Sequence, residues 1–279
     1  PGASENGFSV YVHAIPFMLY PLAAAVLVGL FATGVLPHFG SMKKAFQIAR
    51  ETGNVFSGES DFKFEDQIPE EGVKPNIFDF LLPMAVLLIV TIVTGPDLLK
   101  GTVSALAVCL LLYIPRKKMT LKVAVGTFVE GFQSMVLLSM AIVCAFVLND
   151  INQIMGLSDF IIDHTLPYLD GIWFPAIVFG IHAIIGFCTA SNWATWAILM
   201  PILLPLGDAI GVPVSLTLGA MISGGAFGSH ACPWGDATIL ASAGAGVDNI
   251  EHVRTQIVYC FVGAGISLVG FVVLAAIMV

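Results

Sequence analysis

The sequence predicts an all-α integral membrane protein with transmembrane helices, one re-entrant hairpin and one discontinuous helix. Three observations carry that prediction. Hydrophobic residues make up 57% of the 279 and charged residues 11%, with a mean hydropathy of +0.93, whereas a soluble domain carries roughly 25% charged residues. The apolar residues gather into runs long enough to cross about 30 Å of hydrocarbon at about 1.5 Å per helical residue. Two of these runs are interrupted by polar clusters: Cys188-Thr189-Ala190-Ser191-Asn192 within Ile172–Leu206, and Ser229-His230-Ala231-Cys232-Pro233-Trp234-Gly235-Asp236 within Val212–Gly246. Lipid offers no partner to backbone N–H and C=O groups, so non-helical backbone at that depth has to be buried in protein or line a cavity. Composition excludes a soluble enzyme. A net charge of −8 argues against a nucleic-acid partner.

The elements follow in order. The run from Ile15 to Leu36 is long enough for a first transmembrane helix, which makes residues 1–36 the first segment. Residues 37–76 are a polar linker with much of the acidic charge between Glu59 and Glu71. Within it Met42, Ala45, Phe46 and Ala49 share one helical face, opposite Lys43, Lys44, Gln47 and Arg50. That pattern suits a helix lying on the membrane surface or an ordinary solvated one. Residues 77–279 form the third segment. Its spans are expected at Ile77–Thr94, Leu98–Pro115 and Val123–Asn149, then a hairpin at 172–206, a broken helix at 212–246 and a last helix at 257–279. The intervening Val247–Gln256 reads as a solvated end on a short helix, with a gate as the other reading. Gly224 and Gly228 make a GxxxG, which would let the two broken segments approach closely.

Loop charge orients the spans. The linker carries Lys43, Lys44, Arg50, Lys63 and Lys74, and the loop after Pro115 carries Arg116, Lys117, Lys118 and Lys122. Asp150–Gly171 has no Lys or Arg. By the positive-inside rule the first two are cytoplasmic and the third is external. Each arm of 172–206 is roughly 15 residues, or about 22 Å of helix. The segment therefore either crosses once or dips in and returns with its tip at Thr189–Asn192. The hairpin puts Arg254 in the cytoplasm and is favoured for that reason.

Paired interrupted segments are the sequence mark of a secondary transporter's binding site. At the hairpin tip Thr189, Ser191, Asn192 and Thr195 offer oxygens suited to a hard cation such as Na⁺, or they simply cap half-helices. In the second break Asp236 is the leading candidate. An intramembrane carboxylate is costly, and it can exchange a bound cation for a proton. It is equally placed as an N-cap. Thr238 adds a hydroxyl two residues on, and Ser229 belongs to the same cluster. His230 can carry a proton near neutral pH or serve as a structural histidine. Trp193, Trp234 and Cys232 are possible contacts for an organic substrate. The five cysteines contain no CxxC and imply neither a disulfide framework nor a zinc ribbon.

The run from Phe227 to Leu240, continuing through Gly244-Ala245-Gly246 to Gln256, resembles the signature of NhaC-type Na⁺/H⁺ antiporters. That signature reads Phe-Gly-Asp-His-Cys-Ser-Pro-Ile-Ser-Asp-Thr-Thr. Thr189–Pro201 resembles the family's Thr-Ser-Trp-Gly-Thr-Phe-Ala-Ile-Met-Pro region, and Met42–Gly53 resembles a loop after a middle span. Ser229 stands where the family has aspartate, Cys232 where it has serine, Asn192 where it has serine, and Ala194 where it has glycine. The resemblance implies the C-terminal repeat of an inverted-repeat transporter in a prokaryotic plasma (inner) membrane. It would work by alternating access, with Na⁺ and H⁺ as transported or coupling ions and no further cofactor. The wider superfamily carries organic solutes too, which leaves an ion-coupled solute transporter as an alternative. A membrane-embedded subunit without transport activity is the third reading. Besides the lipid bilayer, the expected partners are the missing N-terminal half or a second membrane chain, and a homo-oligomer. The chain opens at Pro1 rather than Met and is expected to be a piece of a longer protein.

Overall fold

A computed structural model describes residues 7–53, 76–95, 97–156, 160, 163–164, 169–190, 192–245 and 247–279. Ser191, the acidic stretch of the linker and the side chain of Asp236 lie outside what it describes. Every regular element among the described residues is helical. The chain divides into two compact units, Pro1–Phe62 with Ala141–Val279, and Lys63–Met140.

The larger unit opens with α1 (Gly7–Ala14), α2 (Leu19–Ala32) and α3 (Gly40–Thr52). Between α1 and α2 the 3₁₀ turn Ile15–Phe17 intervenes. The smaller unit pairs α4 (Ile77–Val93) with α5 (Leu98–Tyr113). They approach closely where a Cβ on Gly101 would come within 2.8 Å of the Leu87 carbonyl. Asn76 and Asp97 cap the two helices by accepting the N–H groups of Phe78 and Lys100. Those same Lys100 contacts hold the Asp97 carboxyl below its usual range. Helix α6 (Leu121–Ile154) is shared between the units.

The remaining helices are α7 (Phe174–Thr189), α8 (Asn192–Ala209), α9 (Val214–Ala231), α10 (Asp236–Ala245) and α11 (Asn249–Met278). Helix α9 is the centre of the larger unit. It is buried along most of its length and packs on α2, α7, α8 and α11. Its small residues make this possible. A Cβ on Gly224 would lie 2.4 Å from the Phe179 carbonyl, and one on Gly228 would lie 2.6 Å from the Phe187 amide. The GxxxG therefore faces α7, backbone against backbone. Around this seam Phe174, Val178, Phe179, Leu216, Met221, Phe227 and Phe271 form the core.

The structure refines several sequence expectations. The first apolar run is not one straight helix. Residues Ser9–Phe17 and α2 meet at 55° around Met18. Pro16 and Pro21 explain the break, since neither has an N–H to give to a preceding carbonyl. The helix expected at 257–279 begins at Asn249, where the Asp248 carboxylate accepts the N–H groups of Ile250 and Glu251. Its first two turns are the residues that read as a solvated end. Among the described residues α11 is long and apolar enough to cross a membrane by itself, and the bent α1–α2 pair passes the same test together. The amphipathic helix is α3, and Phe46 on its apolar face meets protein. Phe46 stacks on His38 at 3.9 Å and meets Phe31 edge-on.

Candidate functional site: a helix break and the cavity beside it

The polar cluster at 229–236 is a break between α9 and α10, and two residues dictate it. Pro233 cannot donate into a helix and disfavours helical backbone at the residue before it. Cys232 is extended accordingly, at φ −80 and ψ 127. At Gly235 a Cβ would stand 2.6 Å from the Ser229 carbonyl, so a side chain does not fit there.

A break frees carbonyls that the helix would have paired. Side chains take them up. The Thr238 hydroxyl, fully buried, lies 2.7 Å from the Cys232 carbonyl and 2.8 Å from that of Gly235. Gln256 Nε2 on α11 donates to the His230 carbonyl at 2.6 Å, and the Cys260 thiol approaches the same oxygen. Asn249 Nδ2 donates to the Pro233 carbonyl, while its own Oδ1 accepts from Ser242 at 3.2 Å. The break is thus a bonded structure, stitched from α10 and from the start of α11.

A cavity of about 320 Å³ opens beside it. Tyr20, Leu27, Val28 and Phe31 of α2 and Met42 of α3 form one side. His230, Thr238 and Ala241, with His252, Thr255, Gln256 and Tyr259 of α11, form the other. The Tyr20 hydroxyl lies 3.4 Å from His230 Nδ1.

The sequence-derived candidates fall into two groups. His230 and Thr238 line the cavity, and Cys232 is buried in the break. Ser229 is buried just before it. Asp236 opens α10. The other group sits at the turn between α7 and α8, where Ala190 adopts a left-handed φ of 55. There the Thr189 hydroxyl donates to the Ile185 carbonyl and Thr195 is buried. Asn192 packs its Oδ1 against Gly186 and Gly225. Gly225 lies about two helical turns before Cys232, so Asn192 meets α9 ahead of the break. Trp193 and Trp234 are 55% and 60% exposed and lie outside the cavity wall. Trp193 instead stands edge-on to Trp196, whose Nε1 reaches the Met221 carbonyl.

Sequence reading missed Tyr20, Asn249 and Gln256. Asn249 and Gln256 are seven residues apart, hence on one helical face, and that spacing was the available signal. Tyr20 was the one aromatic hydroxyl in the run Ile15–Leu36.

Comparison with known proteins gives the same family as the motif. The Na⁺/H⁺ antiporter family matches residues 3–276. An uncharacterised protein of Haemophilus influenzae is 28% identical over 246 residues, which are 75% of this chain and 46% of that protein. The chain therefore spans about half the length of that relative. The arginine/ornithine antiporter ArcD of Halobacterium salinarum is 34% identical over 118 residues, covering 39% of this chain and 24% of its own. The Na⁺/H⁺ antiporter NhaC of Alkalihalophilus pseudofirmus is 29% identical over 82 residues, covering 29% and 18%. No solved structure matches the chain. With a family match over nearly its whole length, and with the NhaC-like signature forming the helix break, this chain belongs to the Na⁺/H⁺ antiporter family and is an integral membrane protein.

Proposed function

We propose that the chain is the ion-binding repeat of a secondary antiporter that exchanges a cation for protons by alternating access. The supporting observation is the break itself. Its carbonyls are gathered within reach of hydroxyl and amide side chains, and Asp236 stands at the start of the helix that follows. A carboxylate there holds either a cation or a proton, because each neutralises the same charge. The carbonyls of Cys232 and Gly235, with Thr238, supply the neutral oxygens that hard cations prefer. In this reading α7 and α8 are a re-entrant hairpin that brings Thr189, Ser191, Asn192 and Thr195 to the same membrane depth. The N-terminal half, absent from this chain, covers the other side as an inverted repeat. The protein sits in a prokaryotic inner membrane, and a homo-oligomer is its expected state. A second reading, ion-coupled transport of an organic solute, is favoured by the size of the cavity and by the name of the Halobacterium salinarum relative.

Proteoliposomes containing the protein, with Na⁺ and pH gradients imposed separately, test the proposal. A Na⁺ gradient is expected to drive proton movement, and Asp236→Asn is expected to abolish it while the protein stays inserted and folded. The amide keeps the volume and a cap acceptor but cannot trade a cation for a proton. Wild-type exchange with unchanged pH dependence in Asp236→Asn would reduce that residue to a cap.

A further inference from the structure

We infer that the cleft between α5 and the start of α6 binds an anionic phospholipid, one acyl chain lying between the helices and the phosphate resting on Arg116, Lys117 and Lys118. The inference needs the protein to be in a bilayer and is independent of the antiport reading.

The cleft lies wholly within the smaller unit. Leu106, Cys109 and Tyr113 share one face of α5, and Ala124, Thr127 and Phe128 share one face of α6, each set at helical spacing. The space between them is about 200 Å³. A whole small molecule needs roughly 300–1,000 Å³, so this groove suits part of a ligand whose remainder lies outside. From Leu106 to Tyr113 it follows about 10 Å of helix. Its walls are largely carbon, and the Tyr113 hydroxyl is already engaged, donating to the Asp79 carbonyl at 2.7 Å. Leu106 and Phe128 are 39% and 55% exposed, so the groove opens onto an apolar outer surface of the kind a bilayer covers. A length of hydrocarbon chain matches that shape and chemistry.

The other end of the groove is cationic. Helix α5 ends in a turn where the Lys118 N–H bonds the Tyr113 carbonyl and the Lys117 N–H bonds that of Ile114. Lys117 takes the left-handed conformation this helix ending uses, at φ 53. The turn sets Arg116, Lys117 and Lys118 between Ile114 and Met119, which both line the cleft. Asp79 of α4 pairs with Arg116 at 3.0 Å and also with Lys118. One carboxylate against two cations leaves a positive charge over, and Lys117 adds a second, since it makes no ion pair among the described residues. Arg116 is half exposed and gives one N–H to Asp79, which leaves other guanidinium donors for a phosphate. No Asp or Glu is among the described residues lining the cleft.

Charge and shape together name the occupant. Loop charge places this turn at the cytoplasmic surface, where the leaflet presents anionic headgroups that attract basic segments. A free phosphate would satisfy the cations but leave the groove uncovered. A zwitterionic lipid would fill the groove but bring a cation of its own. An anionic phospholipid does both at once. Lys122 is not part of the site, because at about 100° per residue it stands on the far side of α6 from Ala124.

Native mass spectrometry of the purified protein tests this, with dioleoyl phosphatidylglycerol and dioleoyl phosphatidylcholine as probes. The first phosphatidylglycerol is expected to bind about tenfold or more tighter than phosphatidylcholine. Lys117→Gln should cut that preference about fivefold, while Lys122→Gln leaves it unchanged. Thr127→Phe, at an exposed position of the groove wall, should weaken both lipids by filling the groove. If that variant fails to fold, Cys109→Phe takes its place. Inorganic phosphate in excess should not displace the bound lipid. Equal affinity for the two lipids overturns the inference, as does an equal loss in Lys117→Gln and Lys122→Gln, which would mark a diffuse basic surface. Wild-type lipid binding in a folded groove-filling variant, or displacement by phosphate alone, overturns it too, because the chain would then not occupy the groove.

Discussion

Replacing Gly228 with alanine tests the seam on which the site is built. The added methyl would lie 2.6 Å from the Phe187 amide nitrogen, 2.7 Å from the Gly186 carbonyl carbon and 2.8 Å from the Gly186 Cα. All three are backbone atoms of α7, so no side chain can swing aside. Ordinary contact needs roughly 3.5–4.0 Å, so α7 and α9 have to separate by close to an ångström. Overpacking of this kind costs about 1–3 kcal/mol. Alanine also raises helix propensity by up to about 1 kcal/mol, which partly hides the clash. Gly29→Ala is the control. Its Cβ meets nothing within 4 Å, and it also lies in a helix, so the propensity gain is the same and cancels in the comparison. The two variants should therefore differ by about 1–3 kcal/mol. At about 2–4 °C per kcal/mol for chains of this size, that is a gap of several degrees in thermal unfolding in detergent, followed with a thiol-reactive dye. Gly228→Ala should be the less stable of the two. Equal midpoints, to within about 1 °C, would show that α7 and α9 do not meet backbone to backbone at this position.

Three further outcomes are expected. Asn249→Ala removes the donor to the Pro233 carbonyl and the acceptor of Ser242 together. It should cost about 1–3 kcal/mol, read in the same unfolding assay. Thr238→Val keeps the shape but strips the hydroxyl shared by the Cys232 and Gly235 carbonyls. It should destabilise by a similar amount, and wild-type stability would mean that other groups satisfy those oxygens. Under the hairpin reading, single cysteines at positions 170 and 208 in a background lacking the five native ones should react with an impermeant thiol reagent from outside, and one at position 117 from the cytoplasm. Labelling of position 208 only from the cytoplasm would make 172–206 a single crossing.

How much of this was legible follows from how local each cause is. The helices and the break at 232–235 were readable because apolar run length, Pro233 and Gly235 act within a few residues. The turn between α7 and α8 was readable for the same reason, since Thr189–Asn192 interrupts an apolar run. The partners of the break were not. Asn249 and Gln256 are polar residues at the start of a helix, and hydropathy reads such residues as solvated. Their partners lie across the break, His230 for Gln256 and Pro233 with Ser242 for Asn249, contacts that hydropathy does not encode. The bend at Met18 had visible causes in Pro16 and Pro21, but an average over the run Ile15–Leu36 conceals a break of one or two residues. Helix α3 was legible as an amphipathic helix, and the fold adds that Phe46 on its apolar face meets His38 and Phe31.

The two sides of the break are held by different kinds of force, and this bears on any movement at the site. On the α9 side the chain is locked against α7 at Gly224 and Gly228, where backbone touches backbone. Displacing such a seam loses close packing over its whole length. On the α10 side Ile239 and Leu240 are exposed, and the helix is tied in through Thr238, Ser242 and Asn249. Each of those hydrogen bonds is worth about 1 kcal/mol net, and water or an ion can replace it atom for atom. Gln256 ties His230 to α11 in the same replaceable way. A rearrangement that exposes the carbonyls of Cys232, Pro233 and Gly235 therefore costs least if α10 and the first turns of α11 move while α7 and α9 stay together. The residues at the junction, Cys232 to Gly235, are where the backbone has already left the helix and can absorb the change.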